Sequence, residues 1–276
     1  MSILDNYSDE LVERDGIHFA KKESEISYPK GGNQQWFQIE ENSFWFKHRN
    51  QCILSLVEKH SPKELFFDIG GGNGFIAKWL ENNNINTVLV EPGIQGCVNA
   101  KERGLTNVVC STLEDAEFKE NSIKAIGLFD VVEHTPNDVE FMKLIASNLA
   151  SEGLVYITVP SYNLLWSNED KDVGHFRRYT LKRMKKVLIE AGFEINYATY
   201  IFSILPIPIF FFRTIPSFLG FNKNSNDLSK HQNEHKEYSG FVNSILNKIW
   251  NCEIKRVRLG KKLCFGGSCL VVAKKL

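Results

Sequence analysis

Residues 65–80 read LFFDIGGGNGFIAKWL, and this stretch carries the strongest fold signal in the sequence. A short apolar strand runs into a helical pattern through four glycines, at Gly70, Gly71, Gly72 and Gly74. Glycines at such a turn let the backbone approach a ligand closely, and the free N–H groups at the start of the helix favour polar or anionic groups. The stretch therefore predicts a cofactor-binding loop between a strand and a helix.

Strand and helix patterns alternate on both sides of this loop. Strands are expected at residues 65–69, 87–90, 107–110, 125–131, 154–159, 193–200 and 268–273. Helices are expected at residues 42–60, 75–80, 94–103, 136–149, 180–191 and 241–259, and Thr180 is the expected N-cap of the fifth. This alternation predicts an α/β fold with a mostly parallel sheet that is covered by helices on both faces.

The spacing of the glycines separates two classes of cofactor. A dinucleotide fingerprint counted from Gly70 through Gly72 puts Phe75 where a small residue is needed for close packing of the helix on the strand. The loop has instead an acidic residue, Asp68, two positions before Gly70, with a further glycine at Gly74. This pattern disfavours a nicotinamide dinucleotide.

The acidic-x-Gly-x-Gly-x-Gly loop resembles that of class I methyltransferases that depend on S-adenosylmethionine (SAM), and the likeness extends over residues 65–200. The chain is most similar to a group with an aromatic N-terminal segment such as SFWFKHRN (residues 43–50) and a later loop such as GHFRRYT (residues 174–180). The resemblance implies a Rossmann-like, doubly wound sheet of seven strands in the order 3-2-1-4-5-7-6, with the last strand antiparallel.

We expect a single methyltransferase domain over residues 1–276. Its parts are an N-terminal helical cap (residues 1–62), a SAM-binding core (63–200), a hydrophobic and polar insertion (201–240), and a last helix and strand (241–276).

The resemblance implies roles for residues of the core. Asp68, with the glycines, is expected to hold the methionine end of SAM, and the backbone near Phe129 to meet its amino group. Glu91 ends the second strand, where a carboxylate accepts hydrogen bonds from ribose hydroxyls. Thr112 and Leu113 occupy the place where the family holds adenine.

The family usually has an aspartate at the position of Thr112. Glu114 or Asp115 is a candidate to take over its contact with adenine.

The methyl acceptor is expected beyond the carboxyl ends of the strands, near residues 130–134 and 161–179. His134 is the first candidate for a base, which a hydroxyl acceptor requires. If one helical turn follows the fourth strand, Asp130, Glu133 and His134 share a face, and His175 and Arg178 arrive from the later loop. We therefore predict these five residues as the catalytic group.

The same group resembles a divalent-metal site of small-RNA 2′-O-methyltransferases, and mixed carboxylate and imidazole ligands suit Mg, Mn or Zn. No metal ligand is assigned, because Glu133 and His134 can equally anchor a turn before a helix that Thr135 caps with Pro136 at its first position. Arg178 similarly divides between capturing a substrate carboxylate or phosphate and pairing with its own loop.

The charge, the cysteine content and the apolar stretches of the chain limit the kinds of partner and location that it is expected to have. Lys plus Arg and Asp plus Glu both number 33, so no global field favours nucleic acid. The six cysteines are scattered and no signal-peptide pattern follows Met1, which predicts reduced thiols in a cytoplasmic protein. Residues 195–212 carry no charge, but Pro206 and Pro208 interrupt them, so we expect no transmembrane helix. The apolar run has two interpretations. It forms a buried strand with a hydrophobic lid, or it contacts a membrane peripherally through residues 201–221.

These observations predict a SAM-dependent methyltransferase that methylates an oxygen of a small-molecule, sugar or lipid-linked acceptor. The alternatives are an RNA 2′-O-methyltransferase with a divalent metal, motivated by the basic stretches RRYTLKRMKK and IKRVRLGKK, and a non-catalytic SAM-binding subunit.

Overall fold

The computed structural model describes residues 3–22, 37, 39–60, 64–220 and 241–276. They contain one sheet with strands β1 (Leu11–Arg14), β2 (Ile17–Ala20), β3 (Phe66–Ile69), β4 (Thr87–Glu91), β5 (Asn107–Cys110), β6 (Ile123–Phe129), β7 (Leu149–Pro160), β8 (Phe193–Ile201) and β9 (Ser268–Lys275).

The order of strands in the sheet is β1-β2-β5-β4-β3-β6-β7-β9-β8. From β5 to β8 this is the predicted order, and β9 runs antiparallel to both of its neighbours, β7 and β8. Every residue of β3 and β4 is buried, as expected for central parallel strands that are covered on both faces. The predicted α/β class is therefore confirmed.

The predicted count of seven strands is wrong, because a hairpin of β1 and β2 extends the sheet to nine. Strand β2 pairs parallel with β5 at the edge of the sheet. The turn of the hairpin is Asp15-Gly16, and both residues have a positive φ. An Asp-Gly pair is a strong signal for such a turn, but β1 itself is short, charged and mostly exposed, so its pattern is weak.

The helices are α1 (Phe44–His60), α2 (Phe75–Glu81), α3 (Ile94–Glu102), α4 (Asp138–Asn148), α5 (Asn168–Asp172), α6 (Leu181–Glu190), α7 (Pro206–Ile209), α8 (Ile215–Phe218) and α9 (Phe241–Arg258). A π-helical turn (Phe210–Thr214) joins α7 to α8, and 3₁₀ turns lie at Ile3–Asn6, Val132–His134 and Asn163–Leu165.

Two helix starts test the predicted caps. Helix α4 is not capped by Thr135 with Pro136 at its first position. The side chain of Asn137 accepts a hydrogen bond from the backbone N–H of Glu140, so the helix starts at Asp138, two residues later than predicted. The hydroxyl of Thr135 instead donates to the carbonyl of Val132 at 2.8 Å. Thr180 caps α6 as predicted, by accepting from the backbone N–H of Arg183.

The core lies on both faces of the sheet. On one face, Phe67 and Ile126 of the sheet pack with Met142 and Met184 of α4 and α6. The opposite face, which includes Phe66 and Tyr156, packs against helices α1, α2 and α9. This packing leaves the carboxyl ends of β3, β4 and β6 open to a ligand.

The apolar run forms a buried strand end and a helical lid. Tyr197, Ala198 and Ile201 of β8 are buried, and the chain then turns into the helical stretch 206–218, which we call the lid helix. In the part of the chain that the structure describes, no helix is long and apolar enough to cross a membrane. Residues 221–240, the second half of the predicted insertion, lie outside the described residues.

Candidate active site

The glycine loop turns sharply at the end of β3. Gly70, Gly72 and Gly74 have φ values of 69°, 56° and 69°, in the left-handed region that favours glycine. At Gly71 the limit is space, because a Cβ atom there would lie 2.3 Å from a carboxylate oxygen of Asp68. The loop therefore needs each of these four glycines for its shape.

Asp68 is fully buried beside this loop. Neither of its carboxylate oxygens meets hydrogen-bond geometry with a partner among the described residues. Burial raises the pKa of Asp68 to about 7, although the guanidinium of Arg49 opposes that shift. A buried carboxylate without a donor is suited to a cationic ligand group.

Glu91, at the end of β4, is fixed by the loop. Its two carboxylate oxygens accept hydrogen bonds from the backbone N–H groups of Gly72 at 3.0 Å and Gly93 at 2.9 Å. Each oxygen has a second lone pair with which it can accept from a ligand hydroxyl.

Beyond β5, Thr112 and Asp115 bond to each other through side chain and backbone, and Leu113 is buried. Asp115, one of the two candidates for the missing adenine contact, is therefore engaged with Thr112.

A cavity of about 660 Å³ opens between the glycine loop, helix α1, the ends of β6 and β7, and the lid helix. The predicted site residues in its wall are Asp68, Gly70, Gly71, Gly72, Phe129, Asp130, Glu133, His134, His175 and Arg178. Gly74, Glu91, Thr112 and Leu113 lie outside this wall. The structure thus joins the methionine side of the predicted cofactor site to the whole predicted catalytic group.

Asp130, Glu133 and His134 were predicted to share one face of a helical turn. The residues after β6 do not form that turn. Asp130 has a left-handed backbone (φ 60°), and the 3₁₀ turn covers only Val132–His134. The carboxylate of Asp130 accepts from Arg49 and, at 3.1 Å, from the hydroxyl of Thr158. Asp130 is therefore held by an ion pair with Arg49 and a hydrogen bond from Thr158.

Glu133 is fully buried, and its carboxylate has no hydrogen-bond partner among the residues with described positions. Burial raises its pKa well above the usual range, and Asp130 adds to the shift. Burial, followed by the nearby His175, lowers the pKa of His134 to about 4. Both groups therefore favour their neutral forms.

A family model described as a methyltransferase domain matches residues 45–198, more than half of the chain. The chain belongs to this methyltransferase family. A search of curated proteins found no match.

Solved structures share the fold of the methyltransferase. A SAM-dependent methyltransferase from Thermotoga maritima is 15% identical with a TM-score of 0.55, and the match covers 88% of this chain and 94% of the other. One from Archaeoglobus fulgidus is 17% identical with a TM-score of 0.53, covering 87% and 99%. A phosphoethanolamine N-methyltransferase from Haemonchus contortus, in complex with SAM, is 16% identical with a TM-score of 0.55, covering 94% and 61%.

The protein is thus a class I SAM-dependent methyltransferase, and its loop fits the cofactor. The buried carboxylate of Asp68 suits an ammonium group, and the carboxylate of Glu91 is held beside the loop by the backbone N–H groups of Gly72 and Gly93. The positive φ values and the crowding at Gly71 show a loop shaped for close approach of a ligand.

In the methyltransferase, the loop that carries His175 lines the cavity, and hydrogen bonds to Asp170 hold this loop together. His175 Nδ1 lies 2.8 Å from Asp170 Oδ1, and Arg178 donates to both oxygens of the same carboxylate at 2.8 and 3.0 Å. Arg177 and Tyr179 bond to Asp138 instead. Arg178 is therefore in an ion pair within its own loop, one of the two interpretations of this residue.

Two groups of potential metal ligands occur within the described ranges. One ligand atom each from Glu133, His134 and His175 can lie within 4.8 Å of the others. In the other group, of His48, Cys52 and Glu253, the carboxylate of Glu253 already accepts from backbone N–H groups and from His48.

Sequence reasoning missed three polar residues of the cavity, Arg49, Asp170 and Glu40. Arg49 lies in α1 among buried apolar residues, and a charged residue in such a setting is itself a signal of a buried ion pair. Glu40 accepts from Arg103 at 2.8 Å and from Asn73 of the loop at 3.2 Å. The ring of Phe75, which disfavours a dinucleotide, lies under the same Arg103.

Proposed function

We propose that this enzyme transfers the methyl group of SAM to an oxygen of a small-molecule, sugar or lipid-linked acceptor. The observation that carries the proposal is the group of Glu133, His134 and His175 in the wall of the cavity that also contains the glycine loop. A hydroxyl is a weak nucleophile, so its methylation calls for a nearby proton acceptor. The imidazoles of His134 and His175 are the candidates for that acceptor.

The roles of the chain's own residues follow from their positions. SAM, when bound, supplies a methyl group on a positively charged sulfur, ready for in-line displacement. Asp68 would hold the ammonium group of its methionine end, and Glu91 would accept from the ribose hydroxyls. The histidine group would orient the acceptor hydroxyl and take its proton. Positioning of the two reactants accounts for much of the expected acceleration.

An acceptor with an apolar part suits the remaining wall. Phe44, Trp45 and Phe46 of the N-terminal segment, with Ile209 and Phe212 of the lid helix, line the cavity. Phe212 is also 75% exposed, so the apolar wall continues to the outer surface. We propose a lipid-linked acceptor and a cytoplasmic protein that contacts a membrane peripherally through residues 201–221.

A divalent cation on Glu133, His134 and His175 stays a separate hypothesis, and RNA 2′-O-methylation is the function that would go with it. Elemental analysis of the purified protein, together with activity in a chelator, tests the metal. RNA binding at low salt tests the second function, since phosphate contacts strengthen as salt falls.

The first experiment is calorimetry of SAM, S-adenosylhomocysteine and NAD, followed by an acceptor screen with SAM labelled in its methyl group. We expect SAM to bind the native protein and Glu91→Ala to weaken it by about 10- to 100-fold, because hydrogen bonds to a charged group contribute about 1.5–3 kcal/mol. Gly72→Arg should abolish binding, since a bulky residue is forced into a left-handed position.

The exposed Glu102 at the end of α3 supplies the control, Glu102→Gln, which should bind SAM normally. Label on the oxygen of hydroxylated acceptors supports the proposal. Label that appears only on amines, or no SAM binding, contradicts it.

A further inference from the structure

Asp170 is the centre of the hydrogen bonds that fold the loop of residues 167–178 against the cavity. It is 1% exposed and accepts from the backbone N–H of Ser167 at 2.8 Å. Arg178 donates to both of its oxygens, and His175 Nδ1 lies at 2.8 Å. Burial raises the pKa of Asp170, but hydrogen bonds from His175 and Arg178 outweigh that effect and lower the pKa to about 2. Asp170 is therefore an ionised acceptor.

An ionised carboxylate at Nδ1 determines which nitrogen of His175 carries the proton. Nδ1 must donate to Asp170, so in the neutral ring Nε2 is left with a free lone pair. Nε2 lies 3.9 Å from Oε1 of the buried Glu133, in the cavity wall, with 15% of the side chain exposed. The basic nitrogen of His175 is thus presented where an acceptor hydroxyl would bind.

His134 is in a different position. Its ring packs edge to face on that of His175, with centroids 4.7 Å apart. His134 ends the 3₁₀ turn that follows β6, and burial and the nearby His175 lower its pKa to about 4, so it holds a proton poorly. Within the described loop, the carboxylate of Asp170 contacts the ring of His175 and not that of His134.

We propose that His175 is the group that takes the proton of the acceptor, and that Asp170 is the residue that positions it. This inference rests on the proposed O-methylation. The proton of the acceptor O–H moves to Nε2 of His175 while an oxygen lone pair forms the C–O bond to the methyl carbon. The C–S bond breaks, its electrons return to sulfur, and S-adenosylhomocysteine leaves. The imidazolium formed is stabilised by the carboxylate of Asp170.

Asp170→Asn tests the positioning. The new amide can donate to His175 Nδ1 and would move the ring proton to Nε2, which removes the basic nitrogen from the cavity. We expect kcat to fall by about 10²-fold or more, with KM and SAM affinity within about twofold of the native values. Long-range ¹⁵N NMR of the imidazole should show the proton on Nδ1 in the native enzyme and on Nε2 in the variant.

His175→Gln leaves Asp170 in place and should lose kcat to a similar extent, so the test does not depend on one variant. Asp172→Asn is the matched control, because Asp172 ends the same short helix and is exposed. It should keep native kcat and the native tautomer of His175.

The outcomes separate this inference from the function beneath it. A native enzyme that binds SAM but methylates no hydroxyl overturns the O-methylation itself. A native enzyme that methylates oxygen, with Asp170→Asn or His175→Gln keeping full kcat, overturns only the role of His175. Stoichiometric metal that is lost in His175→Gln would also overturn it, because His175 would then be a ligand and not a base.

Discussion

Asp68, Asp130 and Glu133 all line the cavity and differ in what neutralises their charge. Asp130 pairs with Arg49, whereas Asp68 and Glu133 have no donor among the described residues. Arg49 also stacks on Trp45 and Phe46, so its charge is held in an apolar setting. The difference explains why burial raises the pKa values of Asp68 and Glu133.

Replacing Arg49 by methionine tests this pairing. Arg49→Met should lower the free energy of unfolding by about 3–5 kcal/mol in urea, because it leaves Asp130 charged, partly buried and unpaired. The double variant Arg49→Met/Asp130→Asn should recover part of that loss. Arg258, which pairs at 4.0 Å with Glu58 on the surface, gives the control. Arg258→Met should change stability by less than about 1 kcal/mol; an equal effect at both positions would contradict the assignment.

The lid helix has two apolar sides, one that lines the cavity and one that is exposed on the surface. Ile209 and Phe212 face the cavity, while Ile207, Phe211 and Phe218 are 60%, 58% and 91% exposed. Arg213 is the one charged residue of the stretch 203–220, and it pairs with Glu169 at 2.7 Å. An apolar outer face without a free cation favours hydrocarbon over anionic headgroups.

Vesicle flotation checks the outer face of the lid helix. Native protein should float with neutral phosphatidylcholine vesicles, with little dependence on salt. Phe211→Ser/Phe218→Ser should reduce the bound fraction by about tenfold or more, since burial of one phenylalanine contributes about 1.5–3 kcal/mol. Ile189→Ser removes an exposed apolar side chain of α6 instead and should float as the native protein does. No flotation of the native protein would rule out the membrane contact.

For the whole molecule, Asp68 links the cofactor site to stability. Its pKa in the folded protein is about 7, above the ordinary 3.8, so the folded state binds more protons than the unfolded state between these values. Stability therefore falls as pH rises from about 4 to 7, by roughly 4 kcal/mol at most from this group.

Asp68→Asn should remove that slope. In urea unfolding without SAM, we expect the variant to be more stable than the native protein at pH 8 and similar to it at pH 4. Glu102→Gln, an exposed acid, should leave the slope unchanged. An identical pH dependence in native protein and Asp68→Asn would contradict the raised pKa of Asp68.

The amino-acid sequence alone predicted the strand–glycine loop–helix unit and the resemblance to the family, and that resemblance implied the order of the seven core strands. These depend on local signals, such as left-handed positions at Gly70, Gly72 and Gly74 and unbroken apolar strands. Within the core, even the cap at Thr180 was readable because its bond spans three residues.

The contacts between polar groups depend on the folded structure. Arg49 and Asp130 are 81 residues apart, and Glu40 and Arg103 are 63 apart, so no spacing pattern joins them. Asp170 and His175 are near in sequence, yet their contact depends on a loop whose shape is set by packing on the cavity. The edge hairpin likewise forms because β5 offers it a partner. These pairs form because folding buries residues that are distant in sequence, and an unpaired charge in the interior is costly in free energy.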